Sequence, residues 1–179
     1  MRKLLKYGRT AAIIALILVI PLSIFIGCNR TVSGLARDVK KAYENGGDDG
    51  VAYADMKKFA GYAENLNAIA ASNGLANETY EKALATLRTD AATPFSSSTA
   101  AEEVYAQGSL LYNKLLTETD ISEEQRNSAI LYFAEMASAR KRLANNDTYN
   151  DAARKYNDVL ASFPAAFITV GRKSAVVFG

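Results

Sequence analysis

The sequence predicts an all-α protein, an N-terminal transmembrane or signal-anchor helix followed by an antiparallel bundle of about four helices. Three observations lead there. Residues 11–26 form a nearly unbroken apolar run, interrupted only by Pro21 and Ser23 and preceded by Arg2, Lys3, Lys6 and Arg9 with no acidic residue. Downstream, apolar residues recur three and four apart, and no stretch shows sustained β alternation. Glycines, prolines and capping boxes fall between these periodic segments, where helix ends belong.

The apolar run comes first. A hydrocarbon core about 30 Å thick needs roughly 20 helical residues, and counting from Tyr7, with Arg9 reaching back to the headgroups, meets that length. The preceding cations favour a cytoplasmic N-terminus, which places residues 29–179 outside the cytoplasmic membrane. A second reading shares the same export. Ile26-Gly27-Cys28 looks like the end of a lipoprotein signal, with a small residue before a cysteine that would be acylated, although Phe25 fits poorly. Residues 11–20 would then serve as the apolar centre of a cleaved signal, with simple secretion as a third outcome. The expected organisation is an anchor at 1–28, an exported bundle at 29–164 and an apolar, basic tail at 165–179.

Some 150 exported residues suffice for one domain with a real core. The formal charge of +2 comes from the four cations before the apolar run; without them 17 basic residues face 19 acidic ones, with both signs interspersed. That balance argues against nucleic acid, whose partners carry a clustered basic face. Cys28 is the one cysteine, so stability must come from packing and not from an intramolecular disulfide. Histidine is absent, which removes the commonest general base and the commonest transition-metal ligand together.

The first helix is expected to continue through Val32, Leu35, Val39 and Ala42 and to end at the glycine-rich turn 45–50. From 51 to about 73, Met56, Phe59, Ala63, Leu66 and Ala70 make one stripe, stopped by Gly74. A shorter helix over 78–92 has Asn77 as its N-cap and Tyr80, Leu84, Leu87 and Ala91 on one face. Residues 93–98 read as a linker. Thr99-Ala100-Ala101-Glu102 is a capping box opening a helix with Ala101, Val104, Gly108, Leu111 and Leu115 inward, and Ser122-Glu123-Glu124-Gln125 repeats the device. From there the helical pattern runs through Ile130, Phe133, Met136, Leu143, Tyr149, Ala153, Tyr156 and Leu160 to Phe163, where Pro164 ends it, with a bend or loose turn expected at 145–147. The tail reads either as a segment folding back on the bundle or as an interfacial segment. In the second reading Phe167, Ile168, Val170, Val176, Val177 and Phe178 enter lipid beside Arg172 and Lys173.

At 149–164, Tyr149-Asn150 and Tyr156-Asn157, seven residues apart and followed by Phe163-Pro164, resemble the LemA family, in which two Tyr-Asn pairs precede Phe-Pro. The segment from Asn29 to Leu35, with Val39 to Tyr43, is similar to that family's post-anchor helix, Tyr43 standing where a tryptophan is usual. The likeness covers both ends of the chain and little of its middle. It implies an N-terminal membrane anchor, an exported four-helix bundle and no established catalytic activity. From the residues alone, Tyr149 and Tyr156 share a helix face with Ala153, Leu160 and Phe163. Their rings are expected in the seam with hydroxyls reaching a polar edge, or else lining a groove for a partner.

No pattern of nucleophile, base or metal ligands emerges. Glu102-Glu103 and Glu123-Glu124 are helix neighbours that point about 100° apart, and Asp48-Asp49 lacks the spaced oxygens of a calcium loop. The expectation is a non-enzyme with no cofactor and no metal, bound to the cytoplasmic membrane and contacting an envelope protein of undefined identity. Heptad-like stripes also allow a homo-oligomer. The residues singled out are Cys28 for lipidation and Tyr149, Asn150, Tyr156, Asn157, Phe163 and Pro164 for packing or interaction. The alternative is a lipoprotein, acylated at Cys28, that binds a small molecule or peptide between its helices.

Overall fold

The computed structural model describes residues 2–95, 99–117 and 120–178, with side chains in the first helix from residue 15 onward. The linker serines 96–98 fall outside the described residues. Among those described the chain is all-α: α1 (Arg2–Asn45), α2 (Ala52–Ser72), α3 (Glu78–Asp90), α4 (Ala100–Thr117), α5 (Glu123–Ala144), α6 (Asp147–Ala161) and the short α7 (Ala165–Ile168).

α1 runs unbroken through Pro21. Its side chains from Leu16 to Ile26 are exposed, whereas Val32, Val39, Ala42 and Tyr43 are buried. Within it lies one apolar stretch long enough to cross a membrane or to act as a signal sequence, of mean hydropathy 1.9 and only 6 % buried. The apolar stretch and the first bundle helix are therefore one rod.

The remaining helices arrange in two levels. Beyond the glycine turn, α2, α3, α4 and α5 form a four-helix bundle, α2 lying against α5 and α3 against α4. On the side of the apolar run, α1 packs against α6. Partners along the two long arms come in antiparallel order: Tyr62 with Tyr132, Asp55 with Arg142, Asp49 with Thr148, and Tyr43 with Tyr149. Both arms are interrupted at the same level, one at 46–51 and the other at Asn145-Asn146.

The bend expected at 145–147 is a complete break, because asparagines cap both new ends. Asn146 Oδ1 accepts from the Tyr149 amide at 3.0 Å as the α6 N-cap, and its Nδ2 donates to the Gly50 carbonyl at 3.2 Å. Asn150 Nδ2 donates to the Leu143 and Ala144 carbonyls at the end of α5. Asp49 adds a cap from the other arm, its carboxylate accepting from the Thr148 amide and hydroxyl at 3.0 and 2.7 Å. Those two bonds hold its carboxyl below the usual carboxylate range, the hydroxyl contributing most. A carboxylate at a helix N-terminus also suits the dipole.

Other stops follow the expected chemistry. Gly74, at φ 77°, closes α2 in a Schellman turn, with Leu75 N–H bonded to Ala70 and Gly74 N–H to Ala71. Ser122 and Gln125 make the reciprocal capping box of α5. The inward stripe of α2 is buried as spaced, while in α5 Ile130 is 43 % exposed and Ala129 takes its place inside. Tyr80 crosses the seam to donate to the Ala63 carbonyl at 3.0 Å.

Gly46 and Gly50 both sit at positive φ, 68° and 91°. A Cβ on Gly46 would collide with the Gly50 carbonyl, whereas one on Gly50 meets nothing within 4 Å. An alanine forced into left-handed backbone costs about 1–2 kcal/mol, and only at position 46 is a collision added. Gly46→Ala is therefore expected to unfold at a lower urea midpoint than Gly50→Ala; equal midpoints would show that the turn relaxes around the added methyl.

Candidate interaction site

The α1–α6 pair lacks the second layer of helices that covers α2 and α5. The chain's own C-terminal segment fills that place. After α7 it runs extended along α6, and it is held there by the two Tyr-Asn pairs.

Six hydrogen bonds fix the main chain of residues 173–178. Tyr156 Oη donates to the Lys173 carbonyl at 3.1 Å, and Tyr149 Oη donates to the Val176 carbonyl at 2.6 Å. Asn157 pairs both ways with Ala175, donating to its carbonyl and accepting from its amide, each at 2.8 Å, as a neighbouring strand would. Asn150 Oδ1 accepts from the Phe178 amide at 3.0 Å, and the Val176 amide donates to the Pro94 carbonyl at 2.9 Å. At the near end Arg172 donates to Ser33 Oγ at 3.0 Å, tying the segment to α1.

The spacing explains the ladder. Residues seven apart return to the same helix face, so Tyr149-Asn150 and Tyr156-Asn157 present the same two groups twice along the groove. Ala175 and Phe178 insert their side chains and are buried. Phe178 packs on Tyr149, Tyr149 on Tyr43 and Tyr43 on Tyr53, with ring centroids 5.4 to 5.8 Å apart. Phe95 closes the other side edge-on to Tyr156. Between Tyr43, Met56, Leu87 and Tyr149 a partly open pocket has only about 20 Å³ to spare, room for about one water.

Burial pushes the Tyr43 and Tyr149 hydroxyls well above the ordinary tyrosine value, with a smaller contribution from the neighbouring ring in each case. Burial alone does the same for Tyr80. Tyr156 is also raised by burial, with Arg172 opposing.

Of the residues singled out from sequence, Tyr149, Asn150, Tyr156 and Asn157 come together in this ladder. Their hydroxyls reach tail carbonyls, not a polar edge. Phe163 departs from the expectation: α6 ends at Ala161, the helical phase is lost, and Phe163 is 82 % exposed. Pro164 and Phe163 line instead a shallow apolar groove of about 510 Å³ with Ile24, Gly27, Cys28 and Thr31 of α1. Cys28 is half-buried there. Val176 and Phe178 pack against the bundle, so the interfacial reading of the tail fails for those two. The sequence offered a tail folding back on the bundle, as residues 173–178 do, but gave no link from it to the Tyr-Asn pairs and no sign of Phe95. One signal could have found it: Asn150 and Asn157 flank an apolar face, and a helix interior offers them no free backbone group.

No protein family, curated protein or solved structure matches this chain.

Two predictions follow from the ladder. Each bond contributes about 1 kcal/mol net, close to the lower end of the roughly 1–2 kcal/mol needed to order each residue, so apolar burial of Ala175 and Phe178 decides docking. Asn157→Ala removes two bonds and is expected to release the tail, seen as faster tryptic cleavage after Arg172 and Lys173, while exposed Asn113→Ala leaves the cleavage rate unchanged. Separately, tyrosines whose folded pKa is raised contribute fully below the unfolded value of about 10 and lose that contribution as pH rises toward the folded one. Thermal unfolding is therefore expected to shift downward above pH ~10, less steeply in Tyr149→Phe, which lacks one of these protons.

Proposed function

We propose that the protein is a membrane-anchored, non-enzymatic helical module of the LemA type that presents its bundle outside the cytoplasmic membrane for contact with other envelope proteins. The observation that carries this reading is the single helix α1, which exposes apolar side chains from Leu16 to Ile26 and, further along, supplies Val32, Val39 and Tyr43 to the core. An exposed apolar helix of this kind has no protein surface around it, and lipid is the medium that accepts it. A rod shared by anchor and bundle holds the bundle at a fixed height and tilt, which suits a contact surface. The bundle's membrane-distal half carries exposed Leu110 on α4 and Leu131 on α5, apolar groups suited to a protein contact. The ladder residues support the same class of role, since their polar atoms are engaged in holding main chain.

The test uses the full chain in cells. In a Cys28→Ser background, Asn113→Cys is expected to react with a membrane-impermeant maleimide before lysis; reaction only after lysis would place the bundle inside. The intact mass of the wild type decides the anchor, all 179 residues for a retained helix, or loss of residues 1–27 with an acylated Cys28 for the lipoprotein alternative. Crosslinking in native membranes is expected to recover a protein partner, and recovery of none, self included, would overturn the contact role.

A further inference from the structure

We infer that the α6–α7 turn is a second membrane contact, an aromatic edge that enters the lipid interface beside α1; the inference rests on the anchored reading above. Phe163, Phe167 and Val170 are 82, 76 and 83 % exposed, among the most exposed large apolar side chains described. Phe163 and Phe167 stack edge to face at 5.9 Å, forming one apolar knob.

Position supplies the occupant. The short α7 lies beside α1, and the turn faces α1 across the shallow groove lined by Ile24, Gly27 and Cys28, the level at which the apolar run ends. One residue of helix rises about 1.5 Å, so the knob lies within about a turn of the last apolar residue of the anchor. Immersing that run to its end brings the turn to the headgroup layer, where interfacial segments bury apolar groups some 5–10 Å deep. Charge agrees with depth. Residues 159–179 contain no acidic side chain, and Arg172 and Lys173 stand exposed just past the knob, as anionic headgroups favour. Held at two points, the anchor and the knob, the bundle sits down on the bilayer at a fixed rotation about α1.

The chain has no tryptophan, so single tryptophans report cleanly. Full-length Phe163→Trp, Phe167→Trp, Ile20→Trp and Leu110→Trp are reconstituted separately into vesicles of phosphatidylethanolamine and phosphatidylglycerol, with plain or brominated acyl chains. Brominated lipid is expected to quench the two knob variants and Ile20→Trp, and to leave Leu110→Trp, on membrane-distal α4, at its emission in plain lipid. Quenching at Ile20 with none at 163 or 167 overturns the second contact and leaves the anchor intact. No quenching at Ile20 overturns the anchored reading and the contact with it. Equal quenching at Leu110 also overturns it, since the bundle would then lie on lipid without a preferred edge. Val170→Trp repeats the measurement should either aromatic substitution reduce the helical circular dichroism.

Discussion

Two helices alone cannot enclose a core, and this constraint shapes the anchor-side half of the molecule. α2 and α5 escape it because the α3–α4 pair covers them, and there the packing is ordinary: Leu66, Leu87, Val104, Leu115, Met136 and Leu143 are fully buried. Among the described residues, α1 and α6 are covered by Pro94 and Phe95, the short α7 and the tail, with the start of α2 reaching Tyr43 through Tyr53. An extended segment brings main-chain groups that nothing in its own conformation satisfies, and burying them unpaired would cost more than the apolar contacts return. The Tyr-Asn ladder resolves the conflict with hydroxyl donors for the Lys173 and Val176 carbonyls and amide side chains for Ala175 and Phe178, while the Pro94 carbonyl takes the Val176 amide.

Asparagine is suited to this in a way no apolar residue is. Its amide donates and accepts in one plane, so Asn157 can imitate a strand neighbour for Ala175 while sitting on a helix. Asn150 works in two directions at once, closing the carbonyl end of α5 with Nδ2 and holding Phe178 with Oδ1. The break between α5 and α6 and the docking of the tail thus share a side chain. Asn146 joins the other arm to the same level through Gly50. A continuous helix through 145–147 would forfeit these caps and leave the tail without its last partner.

These arrangements also mark how far the sequence could be read. Periodicity predicted the helices and most inward stripes because Met56, Phe59, Leu66, Leu84 and Leu111 answer to local spacing alone. Glycine and capping chemistry placed Gly74 and Ser122 for the same reason. The failures are long-range. Asp49 caps a helix almost a hundred residues away, and nothing near it in sequence says so. Phe163 looked inward only while the helix was assumed to reach it. Tyr149 and Tyr156 were recognised as seam residues, but the identity of what their hydroxyls meet depends on a tail whose 15 residues carry no strong period of their own.

The tail and the anchor bear on each other in one further respect. The groups on α1 that the docked tail bonds, Ser33 and Asn29, both follow Cys28, and the buried positions of α1 begin at Val32. Loss of residues 1–27 would therefore leave the core and the ladder whole. What it would remove is Ile24 and Gly27, one wall of the groove beneath Phe163 and Pro164. The apolar first part of α1 is thus not needed to close the bundle; it decides whether the α6–α7 turn has an apolar neighbour. The residues that build the bundle and the exposed apolar run are separable in this chain, and the boundary between them falls at Cys28.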